Sequence, residues 1–125
     1  MTADLLQVLT PEGKVNGGAP PDLAPEDLVR MYRHMAFLRT LDVRMLSLQR
    51  AGRIGFYGTA TGEEAAVIGS AMALEPQDWV FPALRQGGVA VLRGYSLSLL
   101  VAQNMGNSRD ILKGRQMPCH YSDRS

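Results

Sequence analysis

The sequence predicts a mainly α chain, on three observations. Residues 25–51 carry a helical stripe, with Leu28, Met31, Met35, Leu38 and Met45 recurring at spacings of three, four and seven. Thr61-Gly62-Glu63-Glu64 has the form of a capping box, threonine followed three residues later by glutamate, and opens a second helical pattern that runs to about Leu74. The run Trp79-Val80-Phe81, the clearest β-prone stretch, is cut short by Pro82.

Residues 1–24 read as an extended arm. Val8 and Leu9 suit a short strand, Pro11-Glu12-Gly13-Lys14 a turn, and Gly17, Gly18, Pro20 and Pro21 exclude regular structure after it. Pro25 then stands at the first helical position, where its missing N–H costs nothing. Glu26 and Asp27 follow, in the turn where the helix dipole favours negative charge. Asp42 interrupts the apolar stripe, and a carboxylate there needs a partner, for which Arg39, Arg44 and Arg53 are the candidates. Phe37, Leu41 and Leu48 extend the apolar surface to a second face, as in a helix that is central to its domain or pressed on another chain. Gly52 suits the helix stop.

Between the first two helices lie Ile54, Phe56 and Tyr57, bulky groups in a glycine-punctuated segment. Such a loop buries its side chains in a core, a partner or a ligand pocket. Along the second helix Ala65, Ala66, Gly69, Ser70 and Ala73 form a small-residue side, which fits close packing on another helix of the chain. Trp79-Val80-Phe81 reads as a short buried strand. Arg85 comes next, just ahead of Gly87-Gly88 and a short helical pattern with Val89, Val91 and Leu92. Helix N-termini attract anions and an arginine adds a fork of donors, so Arg85 is either a phosphate ligand or a surface arginine. Ser96 suits the cap of a last helix with Leu97, Leu100, Val101 and Met105 inward, ended by Gly106-Asn107. Residues 108–125 turn polar. Lys113-Gly114-Arg115 lacks the spacing of a phosphate loop, and Cys119-His120 lacks further converging metal ligands. His120 is left as an acid–base or substrate-binding candidate.

The 125 residues allow one small domain, and 46% hydrophobic residues are enough for a core. A net charge of +1, with basic and acidic residues interspersed, gives no electrostatic case for nucleic acid or a membrane surface. One cysteine excludes an internal disulfide and fits a reducing compartment. The first residues, MTADLLQVLTPEGKV, resemble neither a secretory signal nor a transit peptide, so a soluble, cytoplasmic location is expected. These observations yield a helical module with an aromatic loop, a candidate anion-binding arginine and a late histidine, but no reaction.

Three runs taken together add one. LQRAGRIGFYGTATGEEAAVIGSAMAL, DWVFPALRQGGVAVLRGYSL and GNSRDILKGRQMPCHY resemble, in order and spacing, the alpha subunit of the thiamine diphosphate-dependent decarboxylating component of 2-oxo acid dehydrogenase complexes. GRIGFY and KGRQMPxH point to the branched-chain type. The resemblance implies oxidative decarboxylation of branched-chain 2-oxo acids, with acyl transfer to lipoyl groups, as in branched-chain amino acid catabolism. It implies thiamine diphosphate with magnesium as cofactor, a beta subunit in an alpha2beta2 assembly, and a lipoyl-bearing acyltransferase as further partner.

By position, Arg85 matches the arginine on the cofactor's diphosphate and Leu84 the cofactor-binding residue before it. Phe56 and Tyr57 match the loop lining the substrate pocket, and His120 the histidine near the active centre. Two departures stand out: Leu84 replaces a common tyrosine, removing one expected cofactor hydrogen bond, and Gln86-Gly87 replace residues that are usually acidic or polar. The family's later α/β domain bears its GDG…N metal motif, and the matched motifs all precede it. The expectation is therefore the N-terminal helical segment of a thiamine diphosphate-binding α/β fold without its parallel-sheet core. An arm at 1–24 would precede a truncated helical part at 25–125, with no metal ligands of its own and inactive alone. The alternative expectation is a non-catalytic module packing against alpha or beta partners.

Overall fold

A computed structural model describes residues 7–16 and 22–122, and the glycine–proline region at 17–21 lies outside them. The order is α1 (Pro25–Arg50), α2 (Glu64–Met72), α3 (Gly88–Leu92) and α4 (Leu97–Met105). Among the described residues there is no strand, only one antiparallel bridge between Leu9 and Val15 across the turn at 10–14. The mainly α expectation holds. The strand expected at Trp79-Val80-Phe81 does not form: the run is irregular, and no neighbouring strand offers it a ladder.

α1 begins where expected, with Pro25 in its first turn and Ala24 extended before it. It ends on Gly52 at φ +69°, a conformation open to a residue without Cβ. There the Arg53 N–H reaches the Leu48 carbonyl at 2.9 Å and the Gly52 N–H the Gln49 carbonyl, the paired bonds of a Schellman close. α4 closes the same way on Gly106 at φ +61°. Ser96 precedes α4 in the extended cap conformation, but its hydroxyl pairs with that of Ser98 and makes no bond to the helix backbone.

Two apolar clusters share α1. Leu41 and Met45 join Ile54, Tyr57, Tyr95, Leu100 and Cys119 on one side. Leu38 joins Ala60, Val67, Ile68, Ala71 and Val89 on the other. The helix is central, one of the two alternatives its apolar faces left open, and in its N-terminal half Met31 and Met35 pack on the second cluster while Leu28, Val29, Tyr32 and Phe37 are exposed. α1 packs on α2, and α2 on α3. Contact at α3 is close. A Cβ on Gly88 would stand 2.7 Å from Leu38 Cδ2 and 3.2 Å from Val67 Cγ1, so only glycine lets this backbone reach the cluster.

Two readings of α2 need correction. Thr61 is not its N-cap. The helix starts at Glu64 after Glu63, and the Thr61 hydroxyl donates instead to Asp42 Oδ2 at 3.2 Å. The glutamate half of the box survives in shifted form, since Glu64 Oε2 accepts the Gly62 N–H at 2.9 Å. Of the small-residue side only Gly69 is half-buried, beside Met31 of α1. Ala65, Ala66, Ser70 and Ala73 are exposed, and the buried face is Glu64, Val67, Ile68 and Ala71.

The 75–81 loop is tied from behind by Arg93, whose guanidinium donates to the carbonyls of Glu75, Pro76 and Asp78 at 2.7–3.1 Å. On its outer side Trp79 and Phe81 stack 6.4 Å apart, 78% and 88% exposed.

Candidate functional site

The segment between α1 and α2 is held by two carboxylates rather than by regular structure. Asp42, 1% exposed on α1, accepts three hydrogen bonds from it: Tyr57 Oη at 2.9 Å on Oδ1, and the Ala60 N–H at 2.8 Å and Thr61 hydroxyl on Oδ2. The arginine partners expected for it are not used. Arg39 instead pairs with Glu64, and neither Arg44 nor Arg53 forms an ion pair among the described residues. Spacing along α1 explains this: Asp42 shares the buried face with Leu38, Leu41 and Met45, whereas Arg39 and Arg44 are exposed.

Burial pushes the Asp42 carboxyl up, against the lowering effect of its hydrogen-bond donors. The hydrogen bond from Arg39 holds Glu64 down to about 2, against its ordinary 4.5. Desolvation, followed by the Asp42 charge, raises the Tyr57 hydroxyl, so it stays protonated and donates.

A narrow crevice, partly open to solvent, lies beside this segment, and Asp42, Tyr57, Gly58, Leu84, Arg85 and Tyr121 are among its lining. Arg85 sits at the exposed end with Nη1 donating to the Thr59 carbonyl at 2.8 Å. A guanidinium has five N–H donors, so the remainder are available to an anion. Leu84 packs over Gly58, where an added Cβ would meet its Cγ at 3.0 Å and its carbonyl oxygen at 3.1 Å. Its side chain offers no donor. Tyr57 has its ring in the core and lines the crevice. Phe56 turns the other way, 41% exposed, and is not among the lining residues.

The 107–121 segment reaches the crevice through Tyr121. Asp110, 4% exposed, accepts the N–H of Leu112 at 3.0 Å and of Gly114 at 2.7 Å, which fixes the Lys113-Gly114 turn with both residues at positive φ. Further on, Cys119 is buried. The Gly58 N–H approaches its Sγ at 3.3 Å, and its thiol donates to Asn104 Oδ1 at 3.4 Å. Burial pushes this thiol up, so it remains a neutral packing group. Asn104 also donates to the Tyr121 hydroxyl at 3.1 Å, and Tyr121 lies on Tyr95 at 5.5 Å. His120, half-buried, has its carbonyl bound by Gln103, and its Nδ1 lies 3.1 Å from the Pro118 carbonyl. That bond requires hydrogen on Nδ1, which leaves Nε2 as the basic nitrogen.

Arg85, Leu84 and Tyr57 are thus brought to one crevice. His120 is adjacent in chain to Tyr121, which lines it, but is not itself in the lining, and Phe56 faces outward. Sequence reasoning missed Asp42 as the organiser of the segment. Its position in an apolar stripe was the signal. No group of three or more His, Cys, Asp and Glu side chains suited to a metal occurs among the described residues. None of the described helices is long and apolar enough to cross a membrane.

The model of the family described as "Dehydrogenase E1 component" matches residues 32–125. The chain is similar to the 2-oxoisovalerate dehydrogenase subunit alpha, mitochondrial, of Mus musculus, 43% identical over 118 residues, covering 94% of this chain and 27% of the relative. The Homo sapiens protein of that name is 42% identical, with 94% and 26% covered. The Arabidopsis thaliana subunit alpha 1 is 50% identical over 93 residues, with 74% and 20% covered. The chain therefore spans about a quarter of the length of the first two of these relatives. The cytoplasmic location expected from the first residues is corrected by these matches: the relatives are named as mitochondrial. Residue composition carries no address, and the reducing environment read from one cysteine does not separate the two compartments.

Proposed function

The chain belongs to the dehydrogenase E1 component family, and from that premise we propose that it supplies part of the alpha subunit of a branched-chain 2-oxo acid dehydrogenase. The reaction is oxidative decarboxylation of a branched-chain 2-oxo acid, with transfer of the acyl unit to the lipoyl group of an acyltransferase partner. A beta subunit completes the assembly. The observation that carries the proposal is the guanidinium of Arg85 at the open end of the crevice, held by the Thr59 carbonyl with donors to spare.

Those donors fit a diphosphate, and Arg85 would hold it. Leu84 would contribute apolar contact only. Thiamine diphosphate, the cofactor of which that diphosphate is the anchor, would supply in its thiazolium ring the electron sink that decarboxylation of a 2-oxo acid needs. The chain's own residues do the positioning. Tyr57, fixed through its hydroxyl to Asp42, gives the crevice a rigid apolar wall suited to a branched aliphatic side chain. Phe56, matched to the same loop by position, faces outward and is not part of that wall. His120 offers Nε2 as a proton acceptor or donor. Magnesium would be held by residues outside this set.

The test is made on the subunit completed and assembled with its beta partner. Turnover of 2-oxoisovalerate well above that of pyruvate is expected, together with a thiamine diphosphate constant that Arg85→Ala weakens more than it raises the substrate KM. An unchanged cofactor constant would count against the assignment. A second reading, a non-catalytic module that packs on a partner subunit, is favoured by the exposed Leu28, Val29, Tyr32 and Phe37 of α1. Co-purification with a beta subunit without cofactor binding would select it.

A further inference from the structure

We propose that Asp42 is a positioning residue for Arg85, acting through the single peptide group that joins Thr59 to Ala60. The Ala60 N–H donates to Asp42 Oδ2 at 2.8 Å, and the Thr59 carbonyl accepts from Arg85 Nη1 at 2.8 Å. These two polar atoms belong to one planar unit. No peptide bond here is cis, so they point to opposite sides of the chain. A rotation of that plane moves both bonds together. The carboxylate grips one edge from the core, and the other edge presents the oxygen that orients the guanidinium.

The grip is itself well determined. The hydroxyls of Tyr57 and Thr61 occupy further acceptor positions of the same carboxylate, which is buried and forms no ion pair among the described residues. Three donors within five consecutive residues converge on one group, and the chain between them has no other regular bonding. Arg85 is exposed and lacks a carboxylate partner among the described residues, so the Thr59 carbonyl is the contact that selects its rotamer. A long side chain held in one rotamer loses less entropy when an anion arrives. The consequence for diphosphate affinity rests on the function proposed above, while the geometric link does not.

Two readouts test it. With the arginines nitrogen-15 labelled, the two Nη signals of Arg85 are expected to be resolved in the chain, because the Thr59 carbonyl restrains the guanidinium. In Asp42→Asn they are expected to merge, since asparagine has one acceptor oxygen for three donors. Signals that stay resolved overturn the proposal. In the subunit assembled with its beta partner, Asp42→Asn is expected to weaken thiamine diphosphate about tenfold, the worth of one hydrogen bond. In an Arg85→Ala background it is expected to change nothing. An equal loss in both backgrounds is what a general role in stability predicts, and it overturns the positioning role. If Arg85→Ala alone leaves the cofactor constant unchanged, the diphosphate reading fails, and the nitrogen signals still decide the positioning. Should Asp42→Asn not fold, an ester in place of the Ala60 amide deletes that N–H and also weakens the Thr59 carbonyl as an acceptor, so resolved signals are the decisive outcome there. It is expected to merge the same signals, and resolved signals there refute the link.

Discussion

Two irregular segments lend residues to the crevice, Tyr57, Gly58 and Ala60 from one and Tyr121 from the other, and they are fixed in opposite ways. The 54–64 segment is held from a distance: its anchors Asp42 and Arg39 lie on α1, 15–25 residues earlier in sequence. The start of the 107–121 segment is held from within, by Asp110 capping N–H groups two and four residues on. A locally capped turn needs only its own few residues, as Asx-type turns do. A remotely anchored segment exists only when α1 is in place, so its geometry is a tertiary property.

The sharpest way to break this contrast is Asp42→Ala. It strands the Tyr57 hydroxyl and the Ala60 N–H in a buried place and removes the acceptor of the exposed Thr61, and should cost on the order of 3 kcal/mol. The loss is to be read from the denaturant midpoint by circular dichroism. A loss no greater than that of a surface substitution would remove the remote anchor from the account. Gly88→Ala comes next. The methyl would meet Leu38 and Val67 at the joint of α1, α2 and α3, at a cost of about 2 kcal/mol. Because it disturbs the platform under the 54–64 segment, hydrogen exchange at Ala60 should quicken while that at Gly114 holds.

Asp110→Ala should cost about 1–2 kcal/mol and stay local. Trypsin cleavage after Lys113 and Arg115 should accelerate, while the Ala60 amide keeps its protection. Equal loosening of both segments would show that the two are one cooperative unit.

The two carboxylates that hold the 54–64 segment also separate by pH. Glu64 has its folded value lowered to about 2, so its stabilisation is complete above its ordinary 4.5 and is lost as pH falls towards 2. Asp42 is raised, so it works in reverse. Its charged form costs the folded state at neutral pH, and protonation relieves that cost as pH falls through its raised value. Glu64→Gln should therefore flatten the acid limb of the stability curve below pH 4.5, as measured by denaturant midpoints across pH. At the small end, Arg30→Ala removes an exposed pair with Asp27 on α1 and should leave the midpoint unchanged.

The same contrast explains what the sequence made legible. α1 was readable because its start and stop are local chemistry: Pro25 at one end, Gly52 at the other, and a stripe between. Arg85 was readable as an anion candidate because its neighbours Gly87 and Gly88 open a helix beside it. Thr61 misled because a capping box is a local pattern, and a buried carboxylate on another helix competes better for the same hydroxyl. The partners of Asp42 were illegible for the same reason. They are a tyrosine, a backbone amide and a threonine across a turn, with no charge to mark them. Trp79-Val80-Phe81 has the composition of a strand, but strand formation is decided by a partner and not by the run itself.

The placement of Trp79 has a spectroscopic consequence. It is the sole tryptophan, and it stands on the outer side of a loop, against Phe81 and away from both apolar clusters. An indole so exposed is expected to emit in the folded chain as it does in water, so unfolding the core should alter the fluorescence little. The signal belongs instead to the surface. A blue shift on mixing with another subunit would report that this aromatic pair has been covered, while the buried tyrosines Tyr57 and Tyr95 carry the optical record of the core.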